Sequence, residues 1–171
     1  YENEARDVLE TLKRRLDKFS LEVAEDKTRI LPIGRFKGTK DEFDFLGFTF
    51  FNTETRDGNY RLGIRTSKKK LKAKRQAAKA WVRTRMIRPI PETMMKVGAI
   101  IRGHCNYYGV SGNLRSLYKF HDYMKQMVHK MLSRRSQKGY VTYEKFQRIW
   151  DYYVAPPRLT KDIWQWIPKT V

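Results

Sequence analysis

Apolar residues in this chain recur first at helical spacing, then at strand spacing, then at helical spacing again. Between about Asn3 and Phe19, the residues Ala5, Leu9, Leu12, Leu16 and Phe19 fall three or four apart. That spacing lines one face of an amphipathic helix and predicts a buried stripe along it. After Ser20 the period shortens: Leu21 to Ala24 and Lys27 to Leu31, separated by the charged turn Glu25-Asp26, alternate as two short strands would. Pro32 and Gly34 close that unit, and Phe36 to Lys40 reads as loop. The stretch from Phe43 to Phe51 is dense in aromatics and predicts a buried strand. Gly47 in its interior marks a bulge or a close backbone approach. The turn signal Asp57-Gly58-Asn59 lets Tyr60 to Ile64 return as the second arm of a hairpin.

From Ser67 the period becomes helical and stays so, which sets a domain boundary near residue 66. Ser67 is placed to cap a helix running to about Arg88, with Leu71, Ala78 and Val82 on one side. Ala73, Ala77, Ala80 and Thr84 form a second face of small side chains flanked by cations. Pro89 and Pro91 stop this helix and start the next, whose stripe is Met94, Val97, Ile101 and Cys105 and which ends at Gly109. A third helix uses Leu117, Phe120, Met124, Met127 or Val128, and Met131, ending before Gly139. Thr142 caps a fourth carrying Phe146, Ile149, Trp150 and Tyr153, which Pro156-Pro157 closes. The fold class expected is α+β: a small antiparallel β element with one helix over 1–66, then a mainly α-helical bundle over 67–135. A helical C-terminal extension over 136–171 follows.

Charge sharpens this division. The chain of 171 residues has a formal charge of +19, and a domain so basic repels itself unless it meets a polyanion. Up to Asp57 there are 11 Lys and Arg against 13 Asp and Glu, whereas from Gly58 onward the counts are 26 and 5. No acidic residue lies between Asp57 and Glu92, a stretch that holds Arg61, Arg65, Lys68, Lys69, Lys70, Lys72, Lys74, Arg75, Lys79, Arg83, Arg85 and Arg88. The helical part is therefore expected to hold phosphates. No apolar run approaches the roughly 18 residues of a membrane span, and no charged-then-apolar leader opens the chain. With the single Cys105 unable to form an internal disulfide, a soluble chain in a reducing, cytoplasmic setting is expected, with no membrane partner.

Some residues invite chemistry and have plain alternatives. Tyr107 and Tyr108, with Asn106 and Arg102, could stack on or hydrogen-bond to RNA, or both tyrosines could sit half-buried at a helix end. His104, Cys105, His121 and His129 lack the paired ligand spacing of a zinc site and read as satisfied structural residues. Asp41 and Asp44 form the one tempting carboxylate pair, but they flank a strand start and read as solvated loop.

Three ordered motifs carry a resemblance. The string LDKFSLEVAEDKTRI, Leu16 to Ile30, resembles the segment after the catalytic centre in group II intron reverse transcriptases. It is followed at a compatible distance by Phe45-Leu46-Gly47-Phe48, which looks like that family's primer grip. IIRGHCNYYG, Ile100 to Gly109, is similar to the core of its maturase or thumb domain. The likeness spans roughly residues 5 to 135, and it departs at His104, where a tryptophan is usual in the family. What it implies is the end of a polymerase palm over 1–66 and a thumb over 67–135, from a protein that copies RNA into DNA and assists intron splicing. The implied partners are structured intron RNA, an RNA/DNA template-primer, and a fingers and palm region ahead of Tyr1. That region would carry the Tyr-Ala-Asp-Asp signature and its partner aspartate.

Those aspartates would hold two Mg2+ ions in the full polymerase, since two-metal phosphoryl transfer needs fixed carboxylates. No cofactor is expected in this chain, which alone should not polymerise. The resemblance also makes Lys27 the candidate general acid toward the pyrophosphate leaving group, against the plain reading of a surface lysine closing a tight turn. Gly47 is the primer-grip position where a missing side chain would admit a primer backbone. Two alternatives stay open: a non-catalytic RNA-binding maturase or chaperone, and a reverse transcriptase serving CRISPR or phage defence.

Overall fold

The computed structural model describes residues 2–28, 30–31, 33, 41–85, 87–135 and 141–162. The fold is α+β. It contains α1 (Glu2–Asp17), β1 (Glu42–Phe45), β2 (Phe48–Glu54), β3 (Tyr60–Thr66), α2 (Lys68–Arg83), α3 (Ile90–Tyr108), α4 (Leu114–Ser133) and α5 (Tyr143–Tyr153). The strands form one antiparallel sheet in the order β1-β2-β3. The chain divides into two compact units, Tyr1–Phe43 with Phe51–Leu62, and Asp44–Phe50 with Gly63–Val171. Among the described residues no helix is long and apolar enough to cross a membrane.

In the first unit α1 forms as its periodicity predicts, but the buried stripe does not: no residue of α1 is buried, and Val8 stays 67% exposed. No element described here covers that face. The helix ends in a Schellman arrangement, Ser20 N–H donating to Asp17 O and Leu21 N–H to Leu16 O, with Ser20 at φ +55. The two short strands expected over 21–31 are also absent among the described residues. Glu25–Lys27 is a single 3-10 turn instead, and the Thr28 hydroxyl donates to Ala24 O at 2.9 Å. Alternation without a neighbouring strand to complete the ladder leaves the local side-chain bond to decide the conformation. The expected loop over Phe36–Lys40 lies outside the described residues. At the far end of the β2–β3 hairpin, Thr55 O accepts from Gly58 N–H and Asn59 O from Thr55 N–H, the turn that Asp57-Gly58-Asn59 foretells.

In the second unit the aromatic run is not one bulged strand. It folds back at Leu46-Gly47, which join β1 to β2 with φ of +48 and +82. Two consecutive positive φ values are what a two-residue type I′ hairpin turn requires, and that geometry matches the twist of its strands. Ser67 N–H donates to Gly47 O at 2.9 Å, tying the turn to the start of α2. Ser67 also caps α2 as expected, its hydroxyl accepting from Lys70 N–H. The helix stops at Arg83, short of Arg88, where the Thr84 hydroxyl donates to Trp81 O at 2.7 Å.

The core of this unit follows the helical stripes closely. Ala78 and Val82 of α2, Met94, Val97, Ile101 and Cys105 of α3, and Leu117, Phe120, Met124, Val128 and Met131 of α4 are buried together with Phe146 and Trp150 of α5. Helix α4 packs against α2, α3 and α5. Gly98 lets the end of α5 come close to α3: a Cβ there would lie 2.6 Å from Tyr153 O. The segment after Pro157 turns back on the end of α3, where Gly109 O accepts from Thr160 and Lys161 N–H.

One polar residue fastens these parts. Asn113, 1% exposed, accepts the Thr66 N–H at 2.8 Å through Oδ1. Its Nδ2 donates to Thr66 Oγ1 at 2.9 Å and to Tyr108 O at 2.8 Å. The end of β3, the end of α3 and the start of α4 thus share one side-chain amide. Replacing it leaves the buried Thr66 N–H without a partner, at a cost of roughly 1–3 kcal/mol, while Tyr108 O keeps the Val110 N–H. Asn113→Ala should therefore lower the urea unfolding free energy by about 2 kcal/mol, whereas exposed Asn106→Ala should change it by under about 0.5 kcal/mol.

Candidate nucleic-acid interface

The basic surface is built on α2. Burying Ala78 and Val82 against the core, with Leu71 packed beside them, turns the rest of the helix outward. Lys68, Lys69, Lys70, Lys72, Lys74, Lys79 and Arg83 are all exposed. None of these side chains has an ion-pair partner among the described residues. Ala73, Ala77, Ala80 and Thr84 are exposed as well, so no helix described here packs on that face. Arg75 and Arg85 differ from the rest. Arg75 donates to Lys119 O at 2.8 Å and lies over the Tyr123 ring. Arg85 pairs with Glu92 at 3.6 Å and lies over Trp81. Both cations join helices as well as carrying charge. Arg88, Arg102 and Asn106 are exposed.

The hairpin tip and the end of α3 form one aromatic cluster. Phe48 stacks on Tyr107 with ring centroids 6.1 Å apart and meets Tyr108 edge-on at 5.2 Å. The Tyr107 hydroxyl donates to Leu46 O at 3.0 Å. The space that Gly47 leaves is narrow: a Cβ there would meet the Tyr108 hydroxyl at 3.0 Å and the Lys70 side chain at 3.6 Å. Phe45 and Leu46 project from the turn, 58% and 66% exposed. A leucine at positive φ is uncommon, and here its carbonyl is held by Tyr107 while its apolar side chain faces solvent. Tyr107 is itself half in solvent, at 52%. The tip thus offers two apolar side chains and a tyrosine face next to Lys70.

Among the described residues no three His, Cys, Asp or Glu side chains come together as a metal site requires. His121 accepts from Trp150 Nε1 at 3.3 Å, and His129 lies 4.7 Å from the Phe146 ring. His104 departs from the expectation of a satisfied side chain. It is wedged between Tyr108 and Phe120, and neither ring nitrogen has a hydrogen-bond partner. Burial, aided by the charge of Lys74, pushes its pKa down to about 4. Burial also raises the Cys105 thiol above its ordinary range.

Lys27 is exposed in its 3-10 turn in the first unit. Asp41 is exposed, and Asp44 accepts the Thr49 hydroxyl. Compared with protein-family models, with curated proteins and with solved structures, the chain finds no match. Asn113 and the orphaned imidazole of His104 were not singled out by periodicity. An Asn at a helix start signals only a local cap, and nothing in a sequence tells which polar side chain lacks a partner.

His104 gives a direct test. An imidazole that stays neutral when folded and protonates when unfolded contributes stability that is complete above about pH 6.5. That contribution is lost as pH falls toward about 4, because the unfolded chain then binds the proton first. His104→Phe should unfold at higher denaturant than the parent, and the gap should widen between pH 6.5 and pH 4; a constant gap would contradict the assignment.

Proposed function

We propose that this chain is the nucleic-acid-binding C-terminal part of a group II intron-type reverse transcriptase and maturase. In this reading the first unit belongs to the end of the palm and the helical unit is a thumb that holds structured RNA and template-primer by phosphate contacts. The observation that carries the proposal is the row of exposed cations on α2 that have no ion-pair partner among the described residues. It runs against local stability: Lys68, Lys69 and Lys70 occupy the first turn, and no acidic residue offsets them there. A helix N-terminus favours negative charge, and like charges four apart, such as Lys68 with Lys72 and Lys70 with Lys74, cost about 0.2–0.5 kcal/mol per pair. Local rules broken without an internal compensation are expected where a surface serves a ligand. A polyanion supplies the missing counter-charge.

The aromatic tip adds to this reading. Exposed Phe45 and Leu46, with the face of Tyr107, suit stacking against bases or sugars at a place where Lys70 can reach a phosphate. The named class of enzyme comes from the three motifs, and the chemistry of such an enzyme is supplied by two Mg2+ ions on fixed aspartates. The described residues offer no such carboxylate set, and the sequence has no Tyr-Ala-Asp-Asp string. The role assigned to this chain is to bind and orient nucleic acid. Its lone thiol, buried Cys105, suits a reducing cytoplasm.

Purified chain should bind a structured RNA with an affinity that falls linearly in log-log plots against salt, and should incorporate no nucleotides. Replacing Lys68, Lys69 and Lys72 by Gln should lower the slope by about 0.9 for each phosphate that is no longer neutralised, weakening different RNAs alike. Tight binding that ignores salt contradicts the phosphate reading, and nucleotide incorporation by this chain alone contradicts the division of roles.

A further inference from the structure

A second basic feature lies away from the start of α2. Between α2 and α4 is a cleft of about 270 Å³. Lys79 and Arg83 from the end of α2, Lys130 from the end of α4 and Arg134 just past it stand around it, and its floor is Val82, Met127 and Met131. The helices run side by side in the same direction, since Arg75 of α2 reaches Lys119 early in α4 while Val82 and Met131 meet at this cleft. Each wall is an i,i+4 pair of cations. All four are exposed, none has an ion-pair partner among the described residues, and no carboxylate lines the cleft.

We propose that this cleft is a phosphodiester-binding site that seats the backbone of an RNA strand. The inference rests on the RNA-binding reading and assigns it a subsite, with Lys130 and Arg134 as members that periodicity did not single out. The chemistry of the cleft matches the alternation of a nucleic-acid backbone. Guanidinium forks of Arg83 and Arg134 suit two-point contact with phosphate oxygens. Lys79 and Lys130 add mobile point charges. The apolar floor suits the C–H edge of a ribose and, by excluding water, strengthens the charge contacts above it. A competing role exists in the helix ends, because cations near a C-terminus stabilise the helix dipole; that role would make these residues matter for stability and leave RNA affinity untouched.

The experiment uses the full chain with Lys79→Gln/Arg83→Gln, Lys130→Gln/Arg134→Gln, and the four changes combined. RNA affinity over a salt series and melting temperature are measured on each. The cleft predicts that each pair weakens RNA binding roughly tenfold near ~0.1 M salt and lowers the salt slope by about one to two. Melting temperatures should hold, and Lys79→Arg/Lys130→Arg should keep parental affinity. Unchanged affinity in the fourfold variant, alongside weakened binding in Lys68→Gln/Lys69→Gln/Lys72→Gln, overturns the cleft and leaves the RNA-binding function standing. A fallen melting temperature with parental affinity also overturns it, in favour of the helix-end role. Failure of the parent chain to bind RNA at all removes both.

Discussion

Repulsion along α2 is the constraint around which the helical unit is organised. Eight of its sixteen residues are Lys or Arg and none is acidic, so the helix cannot be held by pairs on its own surface. What holds it is one edge, Ala78 and Val82 buried with Leu71 and Trp81 beside them, together with the Ser67 cap and the Arg75 bond to α4. An N-cap contributes about 1 kcal/mol, and full burial of Val82 roughly 1.5–3 kcal/mol, with Leu71 and Trp81 adding partial burial against the core. Those contributions exceed the few tenths that each like-charge pair costs. The basic face is thus carried by the core, and the charges stay available because nothing in the helix neutralises them.

The same economy of bonding explains the aromatic tip. The Leu46-Gly47 turn is fixed from three directions: Ser67 N–H on Gly47 O, the Tyr107 hydroxyl on Leu46 O, and the Tyr108 ring beneath Gly47. Asn113 in turn holds Tyr108 O and Thr66 together. A turn pinned this way can present Phe45 and Leu46 to solvent without folding them inward. Tyr107 has two roles at once, as a strut for the turn and as an exposed ring.

What could be read from the residues follows the kind of signal involved. Long stripes of period 3.6 gave α2, α3, α4 and α5 with their caps at Ser67 and Thr142 and nearly all their core side chains, because burial of one face fixes such helices. The turn at Leu46-Gly47 was not legible. Leucine is not a turn former, and an unbroken aromatic run looks like one strand until tertiary bonds fold it back. The stripe of α1 was legible as a helix but not as exposed, since periodicity records which face is apolar and not what covers it. The alternation over 21–31 misled because strands need partners, whereas the Thr28 hydroxyl closes a turn alone. At the interface, the cations of α2 were plain from the missing carboxylates. The structural use of Arg75 and Arg85, the orphaned His104 and the second wall of the α2–α4 cleft depend on residues far apart in sequence.

The proposed resting place of RNA is the face of the helical unit that carries the exposed cations of α2. Lysine acetylation mapped by mass spectrometry, with and without structured RNA at low salt, tests it most directly. Lys68, Lys69, Lys72 and Lys79 should become protected, while Lys13 and Lys18 at the end of α1 keep their reactivity. Equal protection of all lysines, or none on α2, would contradict the account.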